Sequence, residues 1–148
     1  MNTLVYHAGA LGDFITILPS LAAYRKLQPE SKLVFLGKKV HSELGKAAGY
    51  FFGVFDVDSA RFAPLFSVQP SIAITNFLAG FNEAIAFADD DSPIIHNLSK
   101  IGIDKIHHQP PFPSDGTHVI DYHLSLFPEI QMTEEEKWPR ISPAGFPV

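Results

Sequence analysis

The sequence predicts an α/β protein with a Rossmann-like, doubly wound and mainly parallel sheet, and three observations carry that expectation. Short β-prone apolar runs alternate with segments of helical periodicity. The first run passes into the first helix through a loop holding two glycines, Gly9 and Gly12. With 148 residues, 46% of them hydrophobic, and no internal repeat, the chain has the material for one core rather than two.

Taken in order, Thr3–Tyr6 reads as the first strand, His7–Gly12 as a small-residue loop, and Phe14–Leu27 as a helix. Pro19 falls inside that helix, so either the helix bends there or its regular part begins near Leu18. Leu33–Leu36 is the second strand, and His41–Tyr50, with Leu44, Ala47 and Ala48 at helical spacing, the second helix. Val54–Val57 and Ile72–Thr75 read as further buried strands, with a helical turn over Phe62–Phe66 between them. Ile94–His96 and Lys105–His107 are weaker fifth and sixth strands. Thr117–Phe127 closes the series as a helix capped by Thr117 or Asp115, with Ile120, Leu124 and Phe127 on one face. Strands that alternate with helices imply a parallel sheet covered on both faces by right-handed crossovers. Residues 1–130 therefore form the expected domain. Residues 131–148, with the Glu134–Lys137 charge cluster and Pro139, Pro143 and Pro147, read as an interdomain linker cut short.

Composition narrows the partners. A net charge of −5, with eleven Lys and Arg residues in no long run, offers no basic face for a nucleic-acid backbone. The absence of cysteine removes disulfides and thiolate metal sites and fits a cytoplasmic setting. The apolar beginning is not a signal peptide by pattern: no basic residue precedes it, Asp13 interrupts it, and Arg25 and Lys26 follow it. No apolar stretch reaches the roughly twenty residues of a spanning helix, so the expectation is a soluble domain, with peripheral association at the inner membrane compatible with the sequence.

The glycine loop lets backbone approach a ligand where open α/β sheets place their sites, although two glycines alone equally describe a tight turn. A dinucleotide fingerprint would need a glycine at His7 and an acidic residue where Gly37-Lys38-Lys39 follows the second strand. NAD is disfavoured on that count, while a lysine pair could accept the extra phosphate of NADP. Asp13 adds a carboxylate to the first helical turn, among unpaired N–H groups at the positive end of the dipole. A carboxylate there serves as a cap as readily as a catalyst.

The run Leu4-Val5-Tyr6-His7-Ala8-Gly9-Ala10-Leu11-Gly12-Asp13-Phe14-Ile15-Thr16-Ile17-Leu18-Pro19-Ser20-Leu21 resembles the opening of glycosyltransferase family nine, the ADP-heptose:lipopolysaccharide heptosyltransferases. That family begins with a strand, a basic residue, a Gly-Ala-Leu-Gly-Asp-like loop and a Leu-Pro-Ala-Leu-like helix. The likeness continues more loosely through Arg25–Pro29, Lys32–Leu36, Val54–Val57 and His118–Leu124, and departs at His7, where Arg or Lys is usual.

The resemblance implies the N-terminal, acceptor-side half of a two-domain GT-B enzyme. Its C-terminal half, which binds the ADP-sugar, has no counterpart in this sequence, so the chain is expected to be inactive alone. It also implies Asp13 as the catalytic base, no cofactor and no obligatory metal. The partners would be a lipopolysaccharide-core-like sugar acceptor and an ADP-sugar donor. The acceptor would lie against Gly9, Ala10, Leu11 and Gly12, with Lys38 and Arg61, on the loops after the second and third strands, holding its anionic groups. Asn76, beside Phe77 at the end of the expected fourth strand, would line the same cleft.

The seven histidines lack ligand spacing: His107-His108 are adjacent, and His118 and His123 are five apart. Asp89-Asp90-Asp91 reads as a solvated loop. Two other readings stand beside the transferase: an NADP-binding oxidoreductase domain, and a non-catalytic binding module in which Asp13 only caps its helix.

Overall fold

The structure, a computed structural model, describes residues 1–141. Its strands are β1 (Asn2–His7), β2 (Lys32–Gly37), β3 (Gly53–Asp56), β4 (Glu83–Phe87) and β5 (Lys105–Gln109). The helices are α1 (Leu11–Leu27), α2 (Lys39–Ala47), α3 (Ile72–Leu78), α4 (Pro93–Ile101) and α5 (Val119–Leu124), with a 3-10 segment over Ala60–Phe66. All strand pairs are parallel, in the order β3-β2-β1-β4-β5. The α/β, doubly wound class read from the sequence is the one observed.

Side-chain alternation along each strand divides the interior into two cores. Val5, Phe35 and Ile85 face α1, α2 and α5, and pack with Phe14, Ile17, Leu21, Phe51 and Phe127. Leu4, Tyr6, Leu36 and Ala86 face the other layer, and pack with Phe62, Leu65, Ile74, Ile94 and Leu98. Burying each large apolar side chain contributes about 1.5–3 kcal/mol, which is why single truncations on either face matter. At the amino edge, buried Tyr24 donates to Glu83 Oε2 at 2.9 Å and lies 2.8 Å from Thr3 Oγ1, which satisfies a carboxylate that would otherwise be costly inside.

Several elements differ from the sequence reading. Ile72–Thr75 is not a strand but the start of α3, because Ser71 caps it: its Oγ accepts the Ile74 N–H at 3.3 Å, and Ile74 and Leu78 share the buried side. Asn76 and Phe77 consequently sit in a helix and end no strand. Ile94–His96 belongs to α4, which starts with Pro93 in its first turn and stops at Gly102 with φ 93°. The fourth strand is Glu83–Phe87, whose two alanines and glutamate dilute the β-branched signal. The last helix is shorter than Thr117–Phe127, and its cap is His118, whose ring accepts the Ile120 N–H, while Asp115 binds Thr117 instead. Neither Thr117 nor Asp115 is the cap.

Helix α1 starts at Leu11, runs unbroken through Pro19, and has Ala10 in its cap position with no capping side chain. Beyond residue 130, Met132 and Ile141 pack against the α1-side core, Tyr50 donates its hydroxyl proton to the Arg140 carbonyl at 2.9 Å, and Glu136 pairs with Lys26. Pro143 and Pro147 of the proline-spaced tail lie outside the described residues.

Candidate functional site

Parallel strands deliver every β-to-α loop to one edge of the sheet. β1 is the centre of that edge: the chain leaving it enters α1 on one face, while the chain leaving its neighbour β4 enters α4 on the other. The glycine loop therefore stands at the topological switch point. A Cβ at Gly9 would lie 3.0 Å from His7 Cε1 and 3.4 Å from Asp13 Cβ, so a larger residue would press on both. Asp13 is partly exposed and makes no hydrogen bond to first-turn N–H groups among the described residues.

Beneath the loop the rings form an alternating row, His41–Phe14–His7–Phe87–His123. Successive centroids are 5.3, 6.2, 6.0 and 5.1 Å apart. All three histidines are buried. Burial lowers the His7 pKa to about 4; the nearby His123 and His41 add to the shift and Asp13 opposes it. Burial likewise lowers His123 to about 4 against the pull of Asp13, and His41 is lowered by burial and by Lys38. At neutral pH the row is uncharged, so His7 supplies no cation where the resembling family has one. His123 Nδ1 is 3.1 Å from Gln109 Oε1, an acceptor that fixes the proton on that nitrogen, whereas Nδ1 of His7 and of His41 is buried with no hydrogen-bonding partner among the described residues.

Two clefts flank the loop and share Ala8 and Gly9. The first, of about 520 Å³, lies over the ends of β1, β2 and β3 and takes in Ala10, Lys38, Lys39, His41, Asp56 and Asp58. Lys38 Nζ is 3.4 Å from Asp58 Oδ2, so the best placed cation is already paired. The second, of about 470 Å³, lies between the ends of β1 and β4, and includes Tyr6, Asp89, Asp91, Ser92 and Phe112.

The structure thus brings Gly9, Ala10 and Lys38 to one cleft beside Asp13, with Leu11 and Gly12 exposed on the helix start. Arg61 and Asn76 do not join them. Arg61 lies over Phe55, Phe62 and Phe77 at 5.2–5.5 Å, held by cation–π contacts on the opposite layer, and Asn76 is exposed on α3. Sequence reasoning missed His7, His41 and His123 as a group, and it missed Tyr6, Asp56 and Phe112. The signal for the carboxylates was their place just after a strand, which for Asp89 and Asp91 required recognising β4. Among the described residues no group of three or more His, Asp or Glu side chains has the geometry to hold a metal ion, and no helix is long and apolar enough to cross a membrane.

No protein-family model and no curated protein sequence matches the chain. Solved structures do. The family 9 glycosyl transferase from Veillonella parvula superposes with a TM-score of 0.62 at 14% identity, covering 97% of this chain and 44% of that one. E. coli heptosyltransferase WaaC with ADP gives 0.54 at 14% identity, covering 87% and 46%. The same enzyme with ADP-2-deoxy-2-fluoro heptose gives 0.51 at 16%, covering 87% and 48%. The chain spans less than half the length of each. Its fold is accordingly the one seen in about half of each of these transferases.

Proposed function

We propose that the chain is the acceptor-side half of an inverting glycosyltransferase that moves heptose or a related sugar from an ADP-sugar to a lipopolysaccharide-core-like glycan, and that it is inactive without a donor-binding half. The observation that carries this reading is the likeness to about half of each of two sugar transferases, with a partly exposed carboxylate, Asp13, in the first turn of α1 beside the switch point.

In this mechanism the Asp13 carboxylate takes the proton of an acceptor hydroxyl as that oxygen attacks the anomeric carbon. The bond from that carbon to the ADP oxygen breaks, ADP leaves with the electron pair, and the configuration inverts. His7 and His123, both held neutral at pH 7 by burial, add no positive charge beside Asp13. Orientation of two bound sugars and exclusion of water supply the remainder.

The test is Asp13→Asn in the polypeptide that joins this chain to a donor-binding half. Asn is nearly as good as Asp at a helix start, so stability should stay within about 1 kcal/mol. Turnover should fall roughly a hundredfold or more, the scale of a lost general base. Turnover within about threefold of wild type would remove Asp13 from the chemistry. The 148-residue chain alone should bind ADP-sugars no better than weakly by calorimetry. A low-micromolar dissociation constant, about −7 to −8 kcal/mol, would instead make it a nucleotide-binding domain.

A further inference from the structure

His7 ends β1 directly beneath the glycine loop, and its ring is turned edge-on to that loop. A Cβ on Gly9 would lie 3.0 Å from His7 Cε1, 3.3 Å from His7 Nε2 and 3.4 Å from Asp13 Cβ, so Nε2 and the Asp13 side chain flank the same point. Gly9 does not have a positive φ. Its missing side chain therefore serves this close approach rather than an unusual backbone conformation. The far side of the ring differs: Nδ1 is buried with no hydrogen-bonding partner among the described residues. Orphaned buried N–H groups are rarer than idle acceptors, so the neutral ring keeps its proton on Nε2 and a lone pair on Nδ1. His123 takes the opposite tautomer. Gln109 donates its amide N–H to the Tyr122 carbonyl at 2.8 Å, which turns Oε1 to His123 Nδ1 and fixes the proton there. Asp13 acts electrostatically on both rings, and of the two His7 presents an N–H to the glycine loop.

We propose that His7 is a positioning residue: with its proton on Nε2 it donates through a single bridging water to the Asp13 carboxylate and holds those oxygens toward the arriving acceptor hydroxyl. The inference rests on Asp13 as the base and deepens that reading. The Asp13 carboxylate is uncommitted among the described residues: it caps no first-turn N–H, and Thr16 donates to the Asp13 backbone carbonyl instead. No direct hydrogen bond joins it to His7 there, and one water spans such a separation at little entropic cost. Three groups face the His7 ring. Asp13 on α1 favours a second proton on it, while His123 on α5 and His41 on α2 join burial in opposing one, so the ring remains a neutral donor at pH 7. A neutral donor orients the carboxylate without the ion pair that would hold its charge and weaken it as a base.

The experiment has two arms. In the 148-residue chain with ¹⁵N-labelled imidazoles, long-range proton–nitrogen correlation at pH 7 should place the His7 proton on Nε2 and the His123 proton on Nδ1. Asp13→Ala should then speed solvent exchange of the Nε2 proton by roughly five- to tenfold, the scale of one hydrogen bond. A His7 proton on Nδ1, or exchange unchanged by Asp13→Ala, would overturn the inference. The second arm is turnover in the polypeptide that joins this chain to a donor-binding half. His7→Phe keeps the ring packing and removes the donor, so kcat should fall about ten- to a hundredfold while the KM for acceptor stays within about threefold. His7→Gln, which restores an N–H, should recover much of the loss, as a purely structural role would not. Gly9→Ala presses on the same ring edge and tests the geometry without altering the imidazole. Its loss in kcat should be of similar size and should not add to that of His7→Phe. Turnover within about threefold of wild type in both His7→Phe and Gly9→Ala would remove His7 and leave Asp13 as the base. Full turnover in Asp13→Asn would remove both.

Discussion

Acidification should destabilise this domain through its imidazole row, and His7→Phe should remove a defined part of that sensitivity. His7 is 1% exposed, so solvent does not screen the effect. Its pKa is about 4 in the folded chain against an ordinary 6.5. The unfolded chain therefore takes up the proton first as pH falls. The stabilisation of the neutral form is complete above about pH 6.5, declines between pH 6.5 and 4, and is gone below. The gap corresponds to ~3 kcal/mol in full, of which about 2 kcal/mol is lost by pH 5. His123 adds a similar but coupled amount, because part of the His7 shift comes from His123 itself. Urea denaturation at pH 8, 6 and 5 measures the quantity. The stability difference between pH 8 and pH 5 should shrink by about 2 kcal/mol in His7→Phe. Any overpacking by the phenyl ring is common to both pH values and cancels. An undiminished difference in the variant would refute the claim that His7 is held neutral by burial.

Two further outcomes concern stability. At Gly37 a Cβ would stand 2.4 Å from the His7 carbonyl oxygen and 2.4 Å from the Phe35 ring, so Gly37→Ala should cost about 1–3 kcal/mol in chemical denaturation. A cost under about 0.5 kcal/mol would mean that β1 and β2 separate easily there. Buried Asn97 donates to the carbonyls of Leu65 at 2.6 Å and Ser67 at 2.9 Å, tying the 3-10 segment to α4. Asn97→Ala should cost about 2–3 kcal/mol and speed hydrogen exchange around residues 60–67, and unchanged exchange would argue against the tie.

The first half of the chain was more legible than the second, for reasons that particular residues make plain. β1, its glycine loop and α1 combine a compact β-prone run, two glycines and seventeen residues of helix, so local signals agree. At Ile72–Thr75 they conflict: the β-branched run suggests a strand, but the Ser71 cap and the burial of Ile74 with Leu78 decide for helix. That error hid β4, and with it the meaning of Asp89 and Asp91 as residues just beyond a central strand. The histidine row was beyond any local reading. Its members come from β1, α2 and α5, separated by phenylalanines from α1 and β4, and only the sheet order brings them into line. Arg61 was placed on the correct loop, but the aromatic residues that hold it away from the glycine loop could not be foreseen from the strand pattern alone.

The sheet order also sets the timetable on which the domain is made. β1 is synthesised before the other four strands of the sheet, yet it lies in the middle, with Thr3 opposite Leu33 on one side and Glu83 on the other. Its second edge stays bare until β4 has been synthesised, an interval of roughly 4–16 s at 5–20 residues per second. During that time a strand reading Thr-Leu-Val-Tyr presents unpaired N–H and C=O groups to any other nascent chain. Because the pairing that closes this gap joins residues eighty apart, loop-closure entropy slows the step that covers this edge.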